Sequence, residues 1–176
     1  MKLRNLKASK QIFLLFFLTG QIFSNPLVES KWLSKNLCKE KVKVIEVGKS
    51  LNSYNVEHLN CASYTNFYNE GWRINEKGVS MTLPDVDNIK KIFDNLGINN
   101  TDHIVLYPKK NDKFAMSEVT AIYFTFKYLG HKDISILNGG YPKFKSDFPL
   151  LTEEGKLGKN KKTNYEFKIN NSILAK

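Results

Sequence analysis

Two cysteines, three histidines and one lysine-rich stretch are the residues of this chain best suited to chemistry. Cys38 and Cys61 could act as thiols or pair with each other. An even cysteine count invites a disulfide in an oxidising compartment, and the loop such a bridge closes would be worth roughly 3 kcal/mol. The other reading is two unpaired small apolar residues, since the Cα separation that decides the matter is not legible in a sequence. His58, His103 and His131 are not at metal-ligand spacing, so neither a metal site nor another cofactor is expected. His131 follows a helical pattern, where a partly cationic ring would favour the helix dipole, and His103 flanks a strand. Lys109, Lys110 and Lys113 crowd one loop and form a candidate anion-binding set, with ordinary solvated loop charges as the plainer alternative. Trp32, Trp72, Tyr123 and Phe126 read as packing residues.

The elements that must position these groups follow from periodicity. Trp32, Leu33 and Leu37 suggest a short helix with Ser30 as its N-cap. Val42 to Val47 is a near-continuous apolar run, as in a strand buried on both faces. Gly48 to Asn60 reads as loop, Cys61 to Thr65 as a short strand, and Asn66 to Thr82 as irregular. Pro84 and Asp85 open a helix that presents Ile89, Ile92, Phe93 and Leu96 on one face, with Gly97 at the left-handed C-terminal position. Ile104 to Tyr107 is an apolar strand. A loop from Pro108 to Ala115 leads into a helix carrying Val119, Ile122, Tyr123, Phe126 and Leu129, closed by Gly130. Ile134 to Leu137 is the next strand, and it ends at Asn138-Gly139-Gly140, a tight turn into an aromatic and lysine-bearing segment. Strands alternating with helices predict a mainly parallel sheet.

The 176 residues suit one domain with a real core plus tails. Residues 1–24 have the pattern of a signal peptide: Lys2, Arg4, Lys7 and Lys10 precede an uncharged, mostly apolar run from Gln11 to Phe23, too short for a comfortable span, and Ser24 is a small residue at the cleavage position. Export to the periplasm or beyond the cell is therefore expected, with membrane association only if that segment is retained. Its removal takes four positive charges from the formal +10 and leaves +6. The remaining excess is densest at Lys156, Lys159, Lys161 and Lys162. No basic face is interleaved with aromatics, which excludes a nucleic-acid partner.

Several segments, in order, resemble the rhodanese-like domain. Val44-Ile45-Glu46-Val47-Gly48 is similar to its first-strand motif, Val-Leu-Asp-Val-Arg. Tyr54 to Ala62, with His58, resembles the aromatic-x-x-x-His-Ile-Pro-Gly-Ala signature. Leu83-Pro84 and Leu96-Gly97-Ile98 match the helix before the central strand. Leu129-Gly130-His131-Lys132 and Ile136 to Phe144 match the end of the domain, usually Leu-Asp-Gly-Gly-Trp. The similarity spans about Leu27 to Leu151. It implies a three-layer α/β fold, a mostly parallel sheet of about five strands with helices on both faces.

The resemblance also implies a chemistry, sulfane-sulfur transfer through a persulfide on a cysteine directly after the central strand. There, loop amides and a helix N-terminus would stabilise a thiolate and hold an anionic donor, such as a small sulfur-containing anion. This chain has Pro108 at that position. Cys38 ends the first helix, and Cys61 takes the place of a family glycine well before the central strand. Asn138 replaces the family's aspartate and should keep the turn's hydrogen bonding. In tandem sulfurtransferases of the thiosulfate or 3-mercaptopyruvate type, the first of two such domains is silent. The resemblance therefore implies a domain without the catalytic cysteine that supports a missing or separately encoded second rhodanese-like domain, and residues 152–176 resemble the linker between such halves. The alternative is an exported, non-catalytic binding or regulatory module.

Overall fold

The computed structural model describes residues 25–155, 158, 160 and 162–174. The expected signal peptide at 1–24, and Lys156, Lys159 and Lys161 of the basic tail, lie outside the described residues. In chain order the elements are β1 (Leu27–Val28), α1 (Ser30–Ser34), β2 (Val42–Val47), α2 (Leu51–Val56), β3 (His58–Leu59), β4 (Ser63–Thr65), β5 (Ile74–Glu76), β6 (Val79–Thr82), α3 (Val86–Leu96), β7 (His103–Pro108), α4 (Lys113–Tyr128), β8 (Ile134–Leu137), α5 (Gly140–Asp147) and β9 (Thr152–Glu153), with a 3₁₀ turn at Asn171–Ile173.

Five strands form one sheet in the order β1-β8-β7-β2-β4, and every pairing in it is parallel. Alternation along the strands sorts side chains to two faces. Ile45, Val47, Ile104 and Leu106 meet the apolar stripes of α3 and α4, including Ile89, Phe93, Ile122 and Phe126. Val44, Val105 and Tyr107 meet Leu33 of α1 and Tyr141 and Phe144 of α5. The result is three layers with helices on both faces. Each large apolar side chain buried this way contributes about 1.5–3 kcal/mol.

The longer helices start and stop for local reasons. Asp85 caps α3 by accepting from Asn88 N at 2.8 Å, and Gly97 ends it at φ +66°, with its N–H and that of Ile98 turned back on the last turn. Asp112 caps α4 by accepting from Phe114 N and Ala115 N at 3.0 and 2.9 Å, so the connection after β7 is shorter than the eight-residue loop expected.

Four readings are corrected. Ser30 is the first helical residue of α1, and Glu29 holds the cap position without a side-chain bond. Residues 48–60 are not all loop: Ser50 accepts from Ser53 N and starts α2, whose one buried side chain, Tyr54, leaves no periodic stripe to read. Residues 66–82 include the β5–β6 hairpin, turned at Lys77-Gly78 with both residues at positive φ. His131 is not a cationic cap. It is buried, accepts or donates at Tyr165 Oη (2.7 Å) and Asp102 O (3.0 Å), and burial lowers its pKa.

The tail does not hang free of the domain. Tyr165 is buried against Phe93, Lys168 N donates to Leu129 O, and Asn170 N donates to Tyr128 O. No helix among the described residues is long and apolar enough to cross a membrane.

Candidate functional site

The carboxyl ends of β2 and β7 lie side by side, with Glu46 in register with Tyr107 and Val47 with Pro108. Crevices at the carboxyl ends of parallel strands are where α/β sheets place ligands. Here a cleft of about 270 Å³ opens, lined by Glu46, Lys49, Lys109, Lys110, Asp112 and Glu118 among others.

Pro108 is part of the strand and not of a loop beyond it. It is buried and backed by Gly140, where a Cβ would stand 2.9 Å from Pro108 Cγ and 3.1 Å from Pro108 O. The Gly139-Gly140 turn thus lets α5 start directly against the end of the central strand. The N-terminus of α4 points its first amides toward the cleft's edge, but Asp112 already takes two of them. Those two bonds hold the Asp112 carboxyl below its usual range. An incoming anion would have to displace a carboxylate of the protein itself.

Below the cleft lies a polar network that sequence reading missed. Tyr107 donates to Glu46 Oε2 at 2.9 Å and accepts from Leu59 N at 3.3 Å. Lys109 Nζ lies 3.6 Å from Glu46 Oε2, sits 3.8 Å from the Tyr141 ring centroid and donates to Glu57 O. Burial pushes the Glu46 carboxyl up and the Lys109 ammonium down, and their mutual attraction opposes both shifts. Glu57 in turn is held by Lys145 at 2.5 Å and by Tyr141, which draws its pKa down to about 2.

Of the three lysines of the candidate anion set, Lys109 and Lys110 share the cleft and Lys113 is not in its lining. Lys109 turns inward to Glu46, Lys110 lines the cleft, and Lys113 lies 5.1 Å from the Phe114 ring. Lys49 approaches Glu118 at 3.4 Å, so acids and bases balance across the cleft. His58 is buried, bonded through Nδ1 to Tyr54 O at 2.8 Å and stacked on Tyr54, with Glu153 3.4 Å away. His103 Nε2 meets Ser135 Oγ at 2.9 Å. Among the described residues no group of three or more His, Cys, Asp and Glu could hold a metal. Trp72 and Phe126 are fully buried and Tyr123 partly so, whereas Trp32 is a third exposed, 5.0 Å from the His103 ring. Asn138 sends its side chain to Glu29 at 2.7 Å and not to its own turn.

Cys38 and Cys61 are joined, with Cα atoms 5.3 Å apart. Both adopt left-handed backbone, at φ +60° and +58°. No free thiol remains in the chain.

Residues 29–147 match the rhodanese-like domain, and the chain belongs to that family. It is 32% identical over 135 residues to the sulfur carrier protein TtuD of Thermus thermophilus, covering 77% of this chain and 45% of that protein. It is 27% identical over 145 residues to the thiosulfate sulfurtransferase of Rattus norvegicus, covering 76% and 48%. Among solved structures, the 3-mercaptopyruvate sulfurtransferase SseA of Escherichia coli superposes with a TM-score of 0.71 at 19% identity, over 87% of this chain and 59% of that one. The chain spans about half the length of the curated relatives it matches.

Proposed function

We propose that this chain is a non-catalytic rhodanese-like domain that braces a second, cysteine-bearing domain of the same fold, encoded with it or separately. The observation that carries this reading is the end of β7. Pro108, which lacks both a thiol and an amide hydrogen, stands at the position of the family's cysteine. Two further observations agree with it. Asp112 caps the α4 amides that would cradle a sulfur anion, and Cys38 and Cys61 are tied in a disulfide. That bridge, together with the basic and apolar pattern of residues 1–24, supports an exported protein. The match covers about half the length of these relatives, which supports a partner domain beside this one.

The direct test is thiocyanate formation from thiosulfate and cyanide by the purified chain, with the expectation of background rates. Turnover that disappears in Cys61→Ser would overturn the proposal. The coding sequence that follows provides a second test, because a domain with a Cys-led loop after its central strand supports the bracing role. An unrelated gene there would instead favour an exported binding module that works alone. That second reading has its own support in Arg73, a half-buried guanidinium with hydrogen-bond donors left over.

A further inference from the structure

Arg73 precedes β5 and reaches across to α4. Nη1 donates to Trp72 O at 2.6 Å and to Thr125 Oγ1 at 2.8 Å, and Nη2 donates to Ala121 O at 2.9 Å. Thr125 Oγ1 itself donates to Ala121 O, so the two acceptors on α4 sit together and engage the end of the guanidinium. The Phe67 ring centroid lies 5.9 Å from Cζ. An arginine has five N–H donors in a fixed plane, and these contacts use both Nη1 donors and one on Nη2. Nε–H and the second Nη2–H remain, on the side edge of the group. Two parallel donors on one edge match the two oxygens of a carboxylate or sulfate.

No ion pair reaches Arg73 among the described residues, and burial lowers its pKa. Glu70 is the one carboxylate in the lining of the same cleft; it accepts from Thr65 Oγ1 at 2.6 Å and Asn66 N at 3.3 Å and forms no ion pair with Arg73. The cleft has a volume of about 390 Å³. Its lining adds Lys91, whose Nζ is placed by Asn88 Oδ1 at 3.2 Å, and further polar side chains in Tyr68, Asn69 and Asn95. A half-buried, rigidly held cation with an open two-donor edge is costly unless something answers it.

We propose that the Arg73 cleft binds a small oxyanion, a carboxylate or sulfate, taken side-on by Nε–H and Nη2–H of Arg73 with Lys91 adding a second positive charge at the mouth. This site is separate from the cleft at the end of β7 and does not depend on the reading of Pro108. The anion source is distinguished by the probes. Succinate offers planar carboxylates and sulfate a tetrahedral group, each titrated at constant ionic strength into the ¹⁵N-labelled protein while the backbone amides of Asn69 and Gly71 in the cleft lining are followed in every variant and, in the wild type, the Arg73 Nε–H resonance. Saturable displacement of that resonance by at least one probe is expected. Arg73→Lys keeps the charge but loses the paired edge, and should weaken binding about tenfold, which corresponds to the worth of one charge-assisted hydrogen bond. Lys91→Ala, at an exposed residue that does not touch the core, should weaken it about threefold, as expected for a screened surface charge. Failure of both probes to saturate the shift would overturn the proposal. So would wild-type affinity in Arg73→Lys with its fold verified by thermal melting, or, if that variant does not fold, wild-type affinity in Lys91→Ala.

Discussion

Reducing the Cys38–Cys61 bridge should lower thermal stability by an amount that the structure lets one work out. The bonded cysteines are 23 positions apart. Loop-closure entropy for a ring of that size is worth about 3.4 kcal/mol at 25 °C. At about 3 °C per kcal/mol for a domain of this length, the midpoint should fall by about 10 °C. The backbone adds a second, separable effect. Cys61 sits at φ +58°, where a side chain costs about 1 kcal/mol relative to glycine, and the resemblance places a glycine at this position in the family. The double variant Cys38→Ser/Cys61→Ser should therefore melt near the reduced wild type. Cys38→Ser/Cys61→Gly should recover about 1 kcal/mol, or roughly 3 °C, without any bridge. Circular-dichroism melts with and without phosphine reductant measure both effects, and alkylation mass before and after reduction verifies the bond. An unchanged midpoint on complete reduction would refute the loop argument. A glycine variant no more stable than the serine variant would refute the backbone argument.

Three further outcomes are expected. Lys109→Met leaves the fully buried Glu46 carboxylate without its cation and should destabilise the domain by about 3–5 kcal/mol in urea titrations, with part of the loss restored by adding Glu46→Gln. Pro108→Cys should show no thiocyanate formation above background, because a side chain at that position is buried against Gly140 and is not part of the cleft lining; turnover in this single variant would show that the position alone had been lost. Stability should fall with acid in two windows. His131, buried with a lowered pKa, loses its contribution as pH drops below the unfolded value of 6.5; Glu57, with its pKa drawn from 4.5 to about 2, contributes fully above 4.5 and less as pH falls toward 2. Melts of Glu57→Gln between pH 5 and 2 should be flatter than those of the wild type.

Much of the framework was legible because burial on both faces writes itself as unbroken apolar runs. β7 carries such a run in Ile104–Tyr107, β2 and β8 come close to it with Lys43, Glu46 and Ser135 as interruptions, and α3 carries its cap, its stripe and its terminal glycine in consecutive view. α2 was not legible, since six residues with one buried side chain carry no period. Nor was the two-residue edge strand β1, whose existence depends on its pairing with β8. At the candidate site, the order of family-like motifs was enough to locate Pro108. It could not foretell that Lys109 turns inward, because its partner Glu46 lies on a different strand and is brought close only by the β2–β7 register. His131 misled for the same reason. A helix end in sequence looks solvated, and only the returning tail, through Tyr165, makes it interior.

That tail sets when the protein can finish folding. Phe93 packs against both Tyr165 and Phe167, and Leu129 O and Tyr128 O are satisfied by Lys168 and Asn170. A chain emerging from its N-terminus can pair all five sheet strands once β8 has appeared, yet one face of α3 and the end of α4 stay open until some thirty more residues arrive. During synthesis, this domain would pass through a nearly complete state with aromatic core exposed. It is closed from its C-terminal side, like a box whose lid is the last piece to be delivered.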